Sequence, residues 1–509
     1  MIVRVVSHEL SGRSLTRLAV SGAAPESWYA PRPRGPGAWA HRGAAVSASV
    51  PGDWLERIAP AFDASGNAQR RLEEASRGGF VVTTGQQPGL FGGPLYNWWK
   101  AIGILALADA LQKATARPVA PVFWAATDDS DFIEAATTYV VTPDGPIPVS
   151  MPSSASEGLP MSEAPIGDLT SQLAMLRRAA GSAANEQLIE RVERLYSSGE
   201  TVGGAYVALL RETLRDAGVA VLDGSHSAVR DAAHPLLLAA LERSSDVEAA
   251  LRARDAEITA AGHRPQVQMV RGRTLVFRAS SARRDRVGID RAGQVAGASR
   301  ASELSPNVLL RPVVERQILP TVAYLGGPAE VAYFAQVSAV AAALGVDAPL
   351  VLPRWSGTII EPRIERIMQR HGLDLNDFAD PHAVETRIAT QSLPPKVRES
   401  LAAVRDEIAL RLEQLSKVEG AELIPSRAID GAARNVAHRL ARLERRFTAA
   451  IKRKGNEALR DIAIARASLF PLGKQQERVL NGIPFLARYG EELWSAALTE
   501  ARSHASSLI

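Results

Sequence analysis

FVVTTGQQPGLFGGPLYNWWK, residues 80–100, is the stretch whose reading decides the fold. Residues 80–84 form a short apolar and β-branched run, the pattern of a buried strand. A loop follows that holds Gly85, Gly89, Gly92 and Gly93 together with Pro88 and Pro94. From Leu95 to about residue 113 the chain reads as a helix. Strand, glycine loop and helix in this order bring backbone N–H groups and a helix N-terminus up to one place, where an anion can be held. Gln86 and Gln87 add two adjacent amides, and Tyr96 and Lys100 follow one helical turn apart. The loop has neither the Walker lysine-serine ending nor the dinucleotide glycine spacing. By itself it reads equally as a tight turn without a ligand.

The alternation continues outward from this stretch. Residues 119–126 read as a strand and 131–138 as a helix, which implies parallel strands joined by crossover helices. Helices are expected at about 170–217, a strand at 219–223, and a helix from near Ala228. Residues 265–270 and 274–278 read as a hairpin around Arg271-Gly272. Strands at 321–325 and 349–353 flank a helix at 329–344 and resume the α/β pattern. The expected organisation is an arm at 1–50, with a Pro-, Gly- and Trp-rich loop at 25–42, then one or two helices at 51–79. A discontinuous α/β core spans 51–383 with an insertion at about 143–300, and residues 466–509 return to turn and helix. In 384–465, Val397, Leu401, Val404, Ile408, Leu412 and Leu415 recur at three- and four-residue steps. Val436, Leu440, Leu443, Phe447 and Ile451 do the same. A coiled-coil-like helical hairpin is expected there, in preference to an ordinary packed pair.

Composition narrows the classes. The 509 residues predict two or three domains, and 46% apolar with 22% charged residues is usual for a globular protein. A formal charge of +4 and no basic stripe with interleaved aromatics argue against nucleic acid. The chain has no cysteine, which excludes disulfides and thiolate chemistry. The nine histidines form no His-Glu-x-x-His pattern, and no Gly-x-Ser-x-Gly elbow is present. The N-terminus lacks a secretory pattern, and the apolar stretch 102–111 is too short to span a bilayer. A cytoplasmic protein without membrane attachment is expected.

Three further segments carry chemistry. Thr127, Asp128, Asp129, Ser130 and Asp131 follow a strand directly, where open α/β sheets bind ligands. Such carboxylates hold magnesium, hydroxyls or an ammonium group, and one of the three is expected to be a helix N-cap. Residues 307–336 bring Arg311 and then Gly326-Gly327-Pro328 before a helix, with Glu330, Tyr333 and Gln336 on one face near its start. The alternative is a second structural turn with a surface glutamate. Arg354 and Ser356 follow the last strand, and a strand-end arginine reads as an anion clamp or as an ion-pair partner. Arg271, Arg273, Arg278, Arg283, Arg284 and Arg286 cluster, which fits a solvated face equally well.

Taken in order, these segments resemble the BshC family, the cysteine ligases of bacillithiol biosynthesis that add cysteine to glucosaminyl-malate. The resemblance is carried by 84–96, 121–132, 305–312, 326–336 and 353–356, and by Leu469-Phe-Pro-Leu-Gly-Lys-Gln-Gln-Glu-Arg478 with Tyr489-Gly490. It implies a Rossmann-like core with inserted connecting segments, a coiled coil through which the family forms homodimers, and use of ATP, with Mg2+ as its companion. The family's acidic motif often has a histidine between two aspartates, whereas this chain has Ser130. On this reading Asp129, Asp131 and Glu330 are catalytic. Gly85, Gln86, Gln87, Gly89, Gly92, Tyr96, Lys100, Asp128, Arg311, Gly326, Gly327, Tyr333, Arg354 and Ser356 bind substrate or nucleotide. The anion is expected on the 85–93 loop, and the amine, sugar hydroxyls or magnesium at Asp129 and Asp131. Lys474 and Arg478 belong to the core site, to a site near the coiled coil, or to packing of the chain end. The rivals are a ligase or transferase for another amino-sugar or amino acid, and a non-enzymatic dimeric scaffold.

Overall fold

The computed structural model describes every residue except 1, 11, 143–144, 153–157, 198, 281–282, 392, 421–422 and 455–456. Five parallel strands form the central sheet: β1 Phe80–Gln86, β2 Val119–Ala125, β3 Ala220–Asp223, β4 Thr321–Gly326 and β5 Val351–Pro353. They lie in the order β5-β4-β1-β2-β3, with every neighbouring pair parallel. β1, β2 and β4 are buried along almost their whole length, so their sequences are largely apolar and β-branched and do not alternate with exposed polar residues. The chain steps from β1 to β2 and β3, then crosses back to place β4 on the other side of β1. Strand order therefore reverses between β1 and β4, and a crevice opens beyond their carboxyl ends.

Helix α1, Tyr96–Thr115, covers one face of the sheet with helix Pro36–Ala48 and the C-terminal helix Ile483–Ser507. From Ala101 to Ala108 it is apolar and buried on every side because it packs on both sides. The other face is covered by Trp54–Phe62, Gly66–Ser76, Ser227–Glu242 and α2, Pro328–Leu344.

Three local expectations differ from the structure. Part of the 25–42 stretch is helical: Pro36 occupies the first turn of a helix whose Trp39 is fully buried. Gly43 of that helix meets the Phe80 ring so closely that a Cβ would fall 2.3 Å from Phe80 Cε1. The expected helix at 131–138 is one short turn, Phe132–Ala135, after which Thr137–Thr142 is a strand. Its β-branched and aromatic run favours extended backbone. The predicted hairpin is displaced. Arg273–Ser280 pairs antiparallel with Arg283–Gly288 and Leu304–Pro306. Segment 265–270 is instead tied by the Gln336 amide, which bonds both Val267 N and Val267 O. Part of the expected 143–300 insertion, at 143–144, 153–157, 198 and 281–282, lies outside the described residues.

The chain divides into two compact units. One comprises Met1–Val140, Ile147–Ile359 and Gln476–Ile509, and the other Val141–Pro146 and Ile360–Gln475. In the second, α3, Pro395–Leu415, packs against α4, Ser426–Lys454, as a helical hairpin. Arg405 on α3 bonds Glu444 on α4 at 3.1 Å. Val397, Leu401, Ile408, Leu412, Val436 and Leu440 are half-buried along the seam, whereas Val404, Leu415, Leu443 and Phe447 are exposed. The side chain of Ile451 lies outside the described residues.

Candidate active site

A cavity of about 460 Å³ opens at the strand-order reversal, wholly within the first unit. Its floor is built where β1 and β4 end. Lys100 reaches up from α1 and is 2% exposed. Its Nζ donates to Gly85 O at 2.6 Å and Gln86 Oε1 at 2.9 Å, and lies 2.6 Å from Glu330 Oε2. Glu330, in the first turn of α2, also accepts from Gly327 N at 2.6 Å and from the Tyr324 hydroxyl. That hydroxyl in turn accepts from Gly85 N at 3.1 Å and Arg311 Nη2 at 3.2 Å. Gly85 is closely surrounded, since a Cβ would lie 3.3 Å from Trp124 O and 3.4 Å from Tyr324 Oη.

Electrostatics follow from this packing. Burial by itself would raise the Glu330 carboxyl, but the Lys100 charge and the hydrogen bonds outweigh it and hold the group below the usual glutamate range. Burial pushes Lys100 down against the pull of Glu330. Arg311 lines the cavity and is ion-paired to Glu315 at 2.7 Å. Arg354 also lines the cavity and is fixed by Glu477 at 2.5 Å, and Ser356 donates to the same carboxylate at 2.7 Å. Arg354 Nε, in a side chain only 3% exposed, has no hydrogen-bond partner. It sits where Gly327 leaves space, 3.6 Å from the position a Cβ would take. A buried unpaired donor beside a cavity is a place for a ligand acceptor atom.

The opposite wall is the acidic motif. Asp128 pairs with Arg284 at 3.0 Å, and burial pushes its carboxyl up against that pull. Asp129 accepts from Gln87 Nε2 at 2.7 Å and from Asp131 N at 3.0 Å. Arg284 and Arg286 project from the Arg283–Gly288 strand, their guanidinium carbons 4.4 Å and 5.4 Å from the Phe277 ring centroid. Among the described residues lining the cavity, Arg286, Arg478, Asp129 and Glu134 carry charges that no ion pair engages, and of the two acids only Asp129 accepts hydrogen bonds.

The structure gathers most of the residues expected from sequence. Gly85, Gln86, Gln87, Tyr96 and Lys100 line the cavity from the first motif, and Asp128 and Asp129 from the second. Arg311, Gly327, Glu330, Tyr333 and Arg354 complete it. Five do not line it. Asp131 caps the 132–135 turn, accepting from Glu134 N at 3.2 Å. Gly89 and Gly92 belong to a knot closed away from the cavity: Gly92 N donates to Tyr196 Oη, and Asn481 Nδ2 reaches Leu90 O, Phe91 O and Gly93 O at 3.1, 3.1 and 3.2 Å. The Gly92 and Gly93 N–H groups and the carbonyls of Leu90, Phe91 and Gly93 are thus bonded within the protein, and the 89–93 part of the loop does not line the cavity. Gly326 only receives Arg354 N on its carbonyl, and Ser356 is spent on Glu477. Gln336, also placed on the α2 face, is fully buried against Val267 and Asp255.

Sequence reasoning missed Glu134, Phe277 and Asn307 and left Arg284, Arg286 and Arg478 undecided. The spacing of Asp131 and Glu134, three apart as in a capping box, was a readable signal. So was the two-residue step from Arg284 to Arg286, which puts both on one face of a strand. Lys474 is exposed and lies in the other unit. Among the described residues no helix is long and apolar enough to cross a membrane, and no three His, Asp or Glu side chains converge as a metal site.

Comparison with known proteins agrees with this architecture. The family model described as bacillithiol biosynthesis BshC, N-terminal Rossmann-like domain, matches residues 52–355, and that for the BshC C-terminal coiled-coil domain matches 357–507. Relatives bearing the name "Putative cysteine ligase BshC" include one from Solibacter usitatus, 31% identical over 438 residues, 82% of this chain and 82% of the relative. One from Koribacter versatilis is 32% identical over 460 residues, 86% of this chain and 85% of the relative. One from Staphylococcus carnosus is 26% identical over 465 residues, 84% of each. With both parts of the chain matched in order and relatives above 30% identity along most of its length, this chain belongs to the BshC family of bacillithiol biosynthesis.

Proposed function

We propose that this protein is a ligase that joins the carboxyl group of L-cysteine to the amine of glucosaminyl-malate, in the cytoplasm, with ATP activating the carboxyl group. The observation that carries this reading is the charge left over in the cavity. Lys100, Arg284, Arg311 and Arg354 are each matched by an acid, whereas Arg286, Arg478, Asp129 and Glu134 have no ion-pair partner. A cavity with unmatched charges of both signs suits a ligand that carries carboxylates and an ammonium group together. Glucosaminyl-malate and cysteine both do.

A carboxylate is a poor electrophile, so activation by ATP supplies the leaving group. Arg286, Arg478 and the free Nε of Arg354 fit an anionic group, carboxylate or phosphate, better than the closed 89–93 loop does. Magnesium enters this reading as the companion of the nucleotide's phosphates, since the chain's described residues make no metal cluster of their own. The Lys100–Glu330 pair holds the floor rigid, and Gln87 orients Asp129 toward the ligand's polar groups. Homodimerisation through the α3–α4 hairpin belongs to the same reading, on the strength of its exposed apolar side chains.

The test is mass spectrometry of the purified protein with glucosaminyl-malate, cysteine, ATP and magnesium. The cysteinyl adduct, absent without protein, is expected, and the accompanying AMP or ADP identifies the mode of activation. Ser130 lines the cavity at the position where the resemblance leads one to expect histidine. An adduct formed only with another amino-sugar assigns the enzyme to that acceptor instead. A folded protein that forms no adduct with any acceptor sinks the ligase reading.

A further inference from the structure

Three of the four carboxylates that line the cavity are already engaged. Asp128 faces Arg284, Asp129 holds the Gln87 amide and the Asp131 N–H, and Glu330 faces Lys100. Glu134 is the fourth, and its side chain makes no hydrogen bond or ion pair among the described residues. Its backbone is nonetheless fixed. Asp131 caps the 132–135 turn through Glu134 N, and Ala136 N closes the turn on Phe132 O at 2.8 Å. The carboxylate thus projects from a firmly held turn at the cavity mouth, near enough to the Tyr96 hydroxyl for its charge to act there.

We propose that Glu134 is the general base that takes the proton from the acceptor amine. This rests on the ligation reading above. The acceptor arrives as an ammonium ion, whose nitrogen has no lone pair to attack with. Glu134 accepts one proton and becomes a carboxylic acid. The freed lone pair attacks the carbonyl carbon of a cysteinyl donor activated as an anhydride with phosphate. The C–N bond forms, the C–O bond to the phosphate breaks, and that electron pair leaves on the phosphate oxygen. The second nitrogen proton passes to water, as does the proton held by Glu134.

The other carboxylates are already committed. Glu330 is held below the ordinary range by Lys100, Asp128 is paired with Arg284, and Asp129 accepts from the Gln87 amide and the Asp131 N–H. Glu134 is shifted the useful way: partial burial and the nearby Asp131 and Asp129 carboxylates raise its affinity for a proton. The charged and titratable groups around it are Asp129 and Asp131 on its own segment and Tyr96 on α1, with Glu330, Arg354 and Arg478 acting on the same Tyr96 hydroxyl. Asp131 is then a positioning residue acting through the turn.

Full-length Glu134→Gln and wild type are compared for adduct formation, with saturating substrates, at pH 7 and about 9.5. General-base loss lowers the rate at pH 7 by about 100-fold. At about pH 9.5 an amine of ordinary α-amino type, which deprotonates near 8, needs no base. The gap then closes to roughly threefold, while cysteine-dependent nucleotide cleavage, which involves no amine, stays at the wild-type rate at both pH values. A variant as fast as wild type at pH 7, or a deficit of equal size at both pH values, overturns the proposal. If Glu134→Gln fails to fold, Glu134→Asp carries the test: it keeps the wild-type pH profile at a reduced rate, and a flattened profile refutes the role. A folded wild type that yields no adduct at either pH refutes the ligation reading, and the base role falls with it. An active wild type with an unaffected variant refutes the base alone.

Discussion

Lys100 and Glu330 come from two different βα connections and meet beneath the cavity with almost no solvent. A buried pair of this kind is worth little against an apolar replacement, yet breaking it from one side leaves a lone buried charge. Lys100→Met and Glu330→Gln are each expected to cost about 3–5 kcal/mol in urea unfolding at pH 7, and the double variant clearly less than the sum. Acid removes the effect in a defined direction. The folded carboxyl of Glu330 lies below its unfolded value of about 4.3. Its stabilising contribution is therefore complete above that value and is lost as pH falls through the lower folded value. The coupling measured in the cycle should shrink in that window and not at neutral pH. A coupling that is absent at pH 7 argues that the two charges are solvated, contrary to the structure.

At the scale of elements, the 85–93 loop does two jobs with one sequence. Its first three residues face the cavity, and the remainder is a structural knot. Phe91 adopts a left-handed conformation, φ 53°, which costs a non-glycine residue about 1–2 kcal/mol. The conformation persists because its ring packs edge-on against Tyr196 at 5.0 Å and its carbonyl meets Asn481. Asn481 also anchors Ile483 N, so one amide joins the loop to the C-terminal helix. Asn481→Ala should lower stability by about 1–3 kcal/mol through the unpaired carbonyls. Amide hydrogen exchange should show residues 89–93 losing protection ahead of β1. Unchanged protection there means that Tyr196, which accepts from Gly92 N, and Asn97, whose Nδ2 donates to Gly92 O at 3.0 Å, hold the loop without Asn481.

On the scale of the whole molecule, the helical hairpin is the least buried part of the described chain. No residue of α3 is fully buried, and Val404, Leu415, Leu443 and Phe447 are 46%, 50%, 42% and 39% exposed. Apolar side chains left open at helical spacing mark an interaction face. On the dimer proposed above, the wild type is expected to sediment as a dimer and the double variant Leu443→Glu/Phe447→Glu as a monomer, with its sheet-bearing unit still folded by circular dichroism. A variant that remains dimeric moves the interface off this face.

Legibility tracked the range of the forces involved. The five strands, α1, α2 and the hairpin helices were readable because burial pattern and helical periodicity are local. The glycine, acidic and Gly-Gly-Pro motifs were readable as strand-end features for the same reason. Misreadings fell where a distant partner overrides local preference. Segment 265–270 looks like a strand and is claimed by Gln336, while Trp39 draws a Pro- and Gly-rich stretch into a helix. By itself, then, the sequence determined the α/β class, the family resemblance and which motifs stand at the ends of the strands. Only the tertiary structure decided which charges cancel. Arg354 meets Glu477, 123 positions away, and Asp128 meets Arg284, 156 positions away. Coulombic pairing depends on distance in space and on shared burial, neither of which is written in local order. The charges that remain unmatched, and with them the chemistry of the cavity, appear only when the chain is folded.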